Sequence, residues 1–102
     1  MKRSRFYIRL DGGAFQEVEG KVGQFFGMDF GCHKDQYGWY CITHLPTGAK
    51  VITEDKMKDA VDAITEDLCD RIRKTISDDE KWRTLEKEMS KFKKANPIGG
   101  VE

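Results

Sequence analysis

From Met57 to Ile76 six apolar residues, Met57, Val61, Ile64, Leu68, Ile72 and Ile76, recur at spacings of four, three, four, four and four. That period places them on one side of an α-helix and commits the helix to lying on something apolar. The preceding half of the chain supplies the candidate. "RFYIRL" (5–10), "AFQEV" (14–18), "VGQFFGMDFGC" (22–32), "WYCITH" (39–44) and "AKVIT" (49–53) are rich in aromatic and β-branched residues. They are separated by the turn signals "DGG", "EGK", "HKDQYG" and "LPTG". Strands divided by such short turns pair antiparallel with their chain neighbours. The expectation is an α+β domain: an antiparallel sheet of about five strands followed by two helices packed on one face.

Thr53 is a candidate N-cap for the first helix, with Glu54 and Asp55 at the positive end of its dipole. Arg71, Arg73 and Lys74 would then fall in its last turns. "SDDE" (77–80) offers a break and a second cap, after which Trp82, Leu85, Met89 and Phe92 mark a shorter helix. Pro97 and the paired glycines after it suggest a loose tail, so residues 1–95 are expected to form one domain and 96–102 a flexible end. No apolar run approaches the roughly 20 residues of a membrane span. Asp11 interrupts the basic N-terminus before a signal peptide's apolar segment could form. Three cysteines, an odd number in a chain without a secretion signal, suggest reduced thiols and a cytoplasmic setting.

Lysine and arginine together balance aspartate and glutamate at 18 each, but the charges are segregated. Residues 54–70 carry seven acids against Lys56 and Lys58, while residues 71–94 carry nine bases against five acids. On one continuous helix, Asp55, Asp59, Asp62, Glu66 and Asp70 would form a solvent-facing line opposite the apolar stripe. Each neighbouring pair of like charges costs about 0.2–0.5 kcal/mol before screening. A solvated face that aids solubility is one reading of this line. The other is a surface that docks on a basic groove, its carboxylates standing in for backbone phosphates. Tyr37 and Trp39, flanking Gly38 beside the "HKDQ" loop, are candidate aromatic anchors for such an interface.

Enzymatic and metal-binding patterns are weak. Cys32, His33, Cys41 and His44 have the spacing C-H-x7-C-x2-H, which matches no common zinc finger. Adjacent strand residues point to opposite faces, which separates Cys32 from His33, and Cys41 and His44 also differ in parity. A Cys41–His44 nucleophile pair lacks an orienting third group, and there is no G-x-S-x-G or phosphate-loop pattern. No catalytic residue, metal or cofactor is therefore expected.

The stretch "GWYCITHLPTGAKVIT" (38–53) combines a Trp-bearing strand, a "THLPTG" turn and a second short strand ahead of an acidic helix. Over residues 22–76 this arrangement resembles small proteins encoded by phages and mobile elements of Gram-positive bacteria. Some compact phage proteins of this kind inhibit host defence, anti-CRISPR proteins among them, and several present acidic surfaces to nucleic-acid channels. The resemblance implies a non-enzymatic inhibitor acting in the host bacterial cytoplasm on a nucleic-acid-binding defence protein. It carries over no catalytic residues. Two alternatives remain. One is a nucleic-acid-binding accessory protein using Lys2, Arg3, Arg5 and Arg9 with Lys81, Arg83, Lys87, Lys91, Lys93 and Lys94, disfavoured by the lack of net positive charge. The other is a homodimer, formed through Trp82, Leu85, Met89 and Phe92 or by an acidic helix face meeting its mate's basic helix.

Overall fold

A computed structural model of the chain describes residues 1–98. Five strands, β1 (Lys2–Arg9), β2 (Phe15–Phe25), β3 (Met28–Lys34), β4 (Tyr40–His44) and β5 (Ala49–Glu54), precede three helices. These are α1 (Met57–Asp62), α2 (Glu66–Asp78) and α3 (Glu80–Ala95). The strands form one antiparallel sheet in chain order, the meander expected from the turn signals. No described helix is long and apolar enough to cross a membrane. Of the expected tail, Asn96 accepts a hydrogen bond from the Tyr7 hydroxyl at 2.6 Å, and residues 99–102 lie outside the described region.

The second and third strands divide differently from the expectation. β2 runs straight through "EGK", with Glu19 opposite Arg5 and Lys21 opposite Arg3. Gly20 serves close approach rather than turning, because a Cβ there would collide with the Cys32 carbonyl oxygen. The reversal comes at Phe26-Gly27, between the paired Phe25 and Met28. Both turn residues have positive φ, 52° and 79°, the geometry of a two-residue hairpin that matches strand twist. A left-handed phenylalanine is strained, and Arg73 on α2 holds the turn by donating to the Phe26 carbonyl.

The sheet is strongly curled. Phe6 lies opposite Val18 and Gly31 opposite Val22, so a flat sheet would hold them roughly 16 Å apart. Instead a Cβ on Gly31 would sit 2.7 Å from the Phe6 ring. The β1–β2 hairpin therefore folds over β3 and β4, with Phe6 against Gly31 and edge-on to His33. The Arg9 N–H donates to the Gly48 carbonyl at 2.8 Å, tying β1 to the β4–β5 turn. On the opposite, convex face Met28, Phe30, Cys32 and Ile42 meet Ala60, Ile64, Cys69 and Ile72 from the helical half. This is the dry core, and the apolar stripe supplies its lid.

The expected first helix is two. β5 continues through Thr53 and Glu54, and α1 begins only after Lys56, without a side-chain cap. It stops at Asp62. Thr65 then adopts an extended conformation (φ −101°, ψ 163°), and its hydroxyl accepts the Leu68 N–H at 3.2 Å to start α2. "TED" at 65–67 is thus a helix start, a cap followed by two acids at the positive dipole end. Ile64 stays buried through the break, so the stripe keeps its packing while the rod does not. Asp79 caps α3 as "SDDE" suggested, accepting the Lys81 N–H at 2.9 Å. Met89 is buried beneath Gly48, and the Phe92 ring lies 4.8 Å from Tyr7 and 4.5 Å from Phe15. Part of the stripe named for a dimer is thereby occupied within the fold.

Candidate interaction surface

The break at residues 63–65 divides the acidic line between two helices. Asp55 precedes α1, Asp59 and Asp62 lie on α1, and Glu66 and Asp70 lie on α2. All five are exposed. Three acids of the segment have cationic neighbours on the same helix: Asp62 with Lys58 at 3.5 Å, Asp67 with Arg71 at 3.2 Å and Asp70 with Arg73 at 2.9 Å. These exposed pairs contribute little stability, but their cations offset the negative charge along α1 and α2. Glu66 and Asp67 occupy the first turn of α2, where the dipole explains them.

What remains gathers at one end of the sheet. Carboxylate oxygens of Glu54, Asp55 and Asp59 lie within 4.8 Å of one another, and none of the three forms an ion pair among the described residues. Glu54, expected in the first turn of a helix, instead ends β5, which sets it beside Asp55 and Asp59. Tyr40 is its cross-strand partner, so Trp39, one residue earlier, reaches the same end of the sheet.

The β3–β4 loop holds both candidate anchors. Its five residues, Asp35 to Trp39, are closed by the Asp35 N–H donating to the Trp39 carbonyl at 2.8 Å, and Gly38 takes φ 88°. The Asp35 Oδ1 accepts the N–H groups of Tyr37 and Trp39, both at 2.9 Å. Slight desolvation pushes this carboxyl up, but the Trp39 and Tyr37 N–H groups and the Cys41 thiol bring it net below its ordinary value. Asp35 therefore stays ionised and the loop stays built near neutral pH. On this frame Tyr37 is 77% exposed and Trp39 47%. Two large aromatics so displayed on an ordered turn have the form of interface anchors.

Four of the cations proposed for nucleic acid are engaged within the fold. Arg3 and Arg5 face Glu19 and Glu17 across β1 and β2, at 4.0 and 3.6 Å. Arg9 is built into the fold, pairing with Glu88 at 3.1 Å, donating to the Leu85 and Thr47 carbonyls and stacking over Phe15. Arg83 donates to the Ile76 and Ser77 carbonyls at the end of α2.

The residues weighed for metal or thiol chemistry separate by face. Cys32 and His44 lie on the helix-covered side with Phe30 and Ile42. His33 and Cys41 lie on the other side, directly opposite each other in the β3–β4 register. Cys41 and His44, the pair considered from spacing, are held apart by the sheet itself. All three cysteines are free and buried. The His33–Cys41 pairing follows from the hairpin, since the five residues between Lys34 and Tyr40 close its loop and so set the register. No family model matches the chain, and no curated protein or solved structure matches it.

Proposed function

We propose that this chain is a non-enzymatic binding protein that recognises a basic surface of a larger protein through the Trp39 end of its sheet. The observation that carries the reading is the juxtaposition of two exposed aromatics on an ordered turn with three mutually close acids that lack cationic partners. An arginine or lysine of the partner stacks on Trp39 or Tyr37 while its neighbours meet Glu54, Asp55 and Asp59. Complementary charge hastens encounter, and the aromatics supply the desolvated contact that slows departure. Asp62, Glu66 and Asp70 extend the negative field along α1 and α2 without forming the single rod expected from sequence.

In its most concrete form, drawn from the resemblance to phage and mobile-element proteins, the partner is a bacterial defence nuclease. The acids then occupy a groove that otherwise holds nucleic acid. The test is capture from nuclease-treated bacterial lysate by the immobilised chain, beside Trp39→Ala and Asp55→Lys/Asp59→Lys variants. The reading requires a nucleic-acid-binding protein held by wild type, released by salt and lost by both variants. Inhibition of that protein's activity by the free chain completes the case. Capture that survives both substitutions, or that disappears with nuclease, overturns it.

A further inference from the structure

Under the curl of the sheet lies a cleft of about 690 Å³, walled by Ile8, Gln16 and Val18 on one side and by His33, Cys41 and Thr43 on the other. Tyr37 of the proposed interface stands at its edge, but His33, Cys41 and Thr43 take no part in that interface. His33 and Cys41 are cross-strand partners, so their side chains leave the sheet on the same side with Cβ atoms about 5 Å apart. Asp35 joins them. Because its Oδ1 is engaged by two backbone N–H groups, its Oδ2 is turned to 3.8 Å from the Cys41 sulfur. The third member is unsatisfied: His33 Nδ1 is buried and has no hydrogen-bond partner among the described residues.

An imidazole, a thiol and a carboxylate thus border one cleft as nitrogen, sulfur and oxygen donors. We propose that Cys41, Asp35 and His33 bind a divalent transition-metal ion of the zinc class, with its fourth position open to the cleft. The Sγ to Oδ2 separation is close to the roughly 3.6 Å edge of a tetrahedron built from zinc–sulfur and zinc–oxygen bonds. Mixed thiolate and imidazole donors select zinc or cobalt over magnesium or calcium. The hydrogen bonds that orient Asp35 are the outer-shell support such ligands require.

The three donor atoms do not all lie within 4.8 Å, the only described group that does being Glu54, Asp55 and Asp59. His33 therefore turns on binding, leaving its edge contact with Phe6. The Cys41 thiol gives up its proton to solvent as the metal binds. Thiolate and carboxylate together balance the charge of the ion.

Cobalt(II) titrated into the reduced full chain tests this, because cobalt–thiolate charge transfer in the near ultraviolet reports the sulfur directly. The expected result is a band that zinc displaces, absent in Cys41→Ser and retained in Cys32→Ser, Cys69→Ser and Asp55→Asn/Asp59→Asn. His33→Ala and Asp35→Asn, which leave the thiol in place, weaken cobalt binding by at least the roughly 10–100-fold that loss of an outer-shell partner costs. A wild-type chain that shows no thiolate band, or a band that survives in Cys41→Ser or is unmoved in His33→Ala and Asp35→Asn, overturns the assignment.

Discussion

Along β3 and β4 alternate residues leave the sheet on opposite sides and meet different surroundings. On the convex side Phe30, Ile42 and His44 are buried against α1, α2 and the β4–β5 turn, and His44 Nδ1 lies 2.9 Å from the Thr47 hydroxyl. On the concave side His33, Cys41 and Thr43 border a cleft, and His33 keeps an unpartnered nitrogen. The same two strands thus carry stability on one side and uncommitted polar chemistry on the other. Substitutions that separate the sides should show it, and the largest effect belongs to the convex one. Phe30→Ala should cost about 3–5 kcal/mol in denaturant unfolding, a large share of a small domain's stability. Cys41→Ser on the cleft side should cost clearly less.

The two histidines sharpen the contrast through pH. Burial holds the His44 imidazole down at about 4 from an ordinary 6.5, with Asp29 opposing and Lys93 adding to the shift. Between those values the unfolded chain binds a proton that the folded one does not. Stability therefore falls as pH drops through 6.5 and stops falling, for this group, near 4. The full loss is roughly 3 kcal/mol. His33 is shifted in the same direction, again chiefly by burial. Unfolding measured at pH 7 and pH 5 should show a slope that His44→Gln largely removes and His33→Gln reduces less. Equal reductions would make the two sides electrostatically alike and break the comparison.

Gly31 sits where the sides meet, on β3 between Phe30 and Cys32 but facing Phe6. Gly31→Ala places a methyl group within 2.7 Å of that ring and should destabilise by about 1–3 kcal/mol. Phe6→Leu in the same chain should return part of the loss. A double-mutant cycle without coupling would mean that the hairpin does not close over β3 as described.

The strand-rich half, its five strands and their chain order were legible because turn residues and two-residue alternation are local signals. The turn at Phe26-Gly27 was not, because a left-handed phenylalanine contradicts local preference and is held by Arg73 from a distant helix. The two exposed aromatics were legible from their place around Gly38 in a loop. The acids were legible as residues but not as an arrangement. The curl that brings Phe6 to His33, and the loop closure that sets His33 opposite Cys41, depend on pairing between strands. Parity applied within each strand could not supply that pairing, so Asp35 went unnoticed as its neighbour.

The segment 53–70 makes the same point at the smallest scale, since "TED" occurs at both 53–55 and 65–67. By propensity alone both are helix starts. The first is not one, because Thr53 lies opposite Cys41 in the β4–β5 ladder and the chain must finish that strand before it can turn. The second succeeds because Ile64 reaches the core just ahead of it and Thr65 is free to stay extended and cap. Thr65→Ala should therefore cost about 1 kcal/mol, with amide exchange rising first at Leu68 and Cys69. Thr53→Ala should have no capping effect on α1. If the two substitutions weaken the helices equally, or if Thr65→Ala stabilises the protein by letting α1 run into α2, the acids would lie on one rod after all. The line from Asp55 to Asp70 would then regain the continuity that the break denies it.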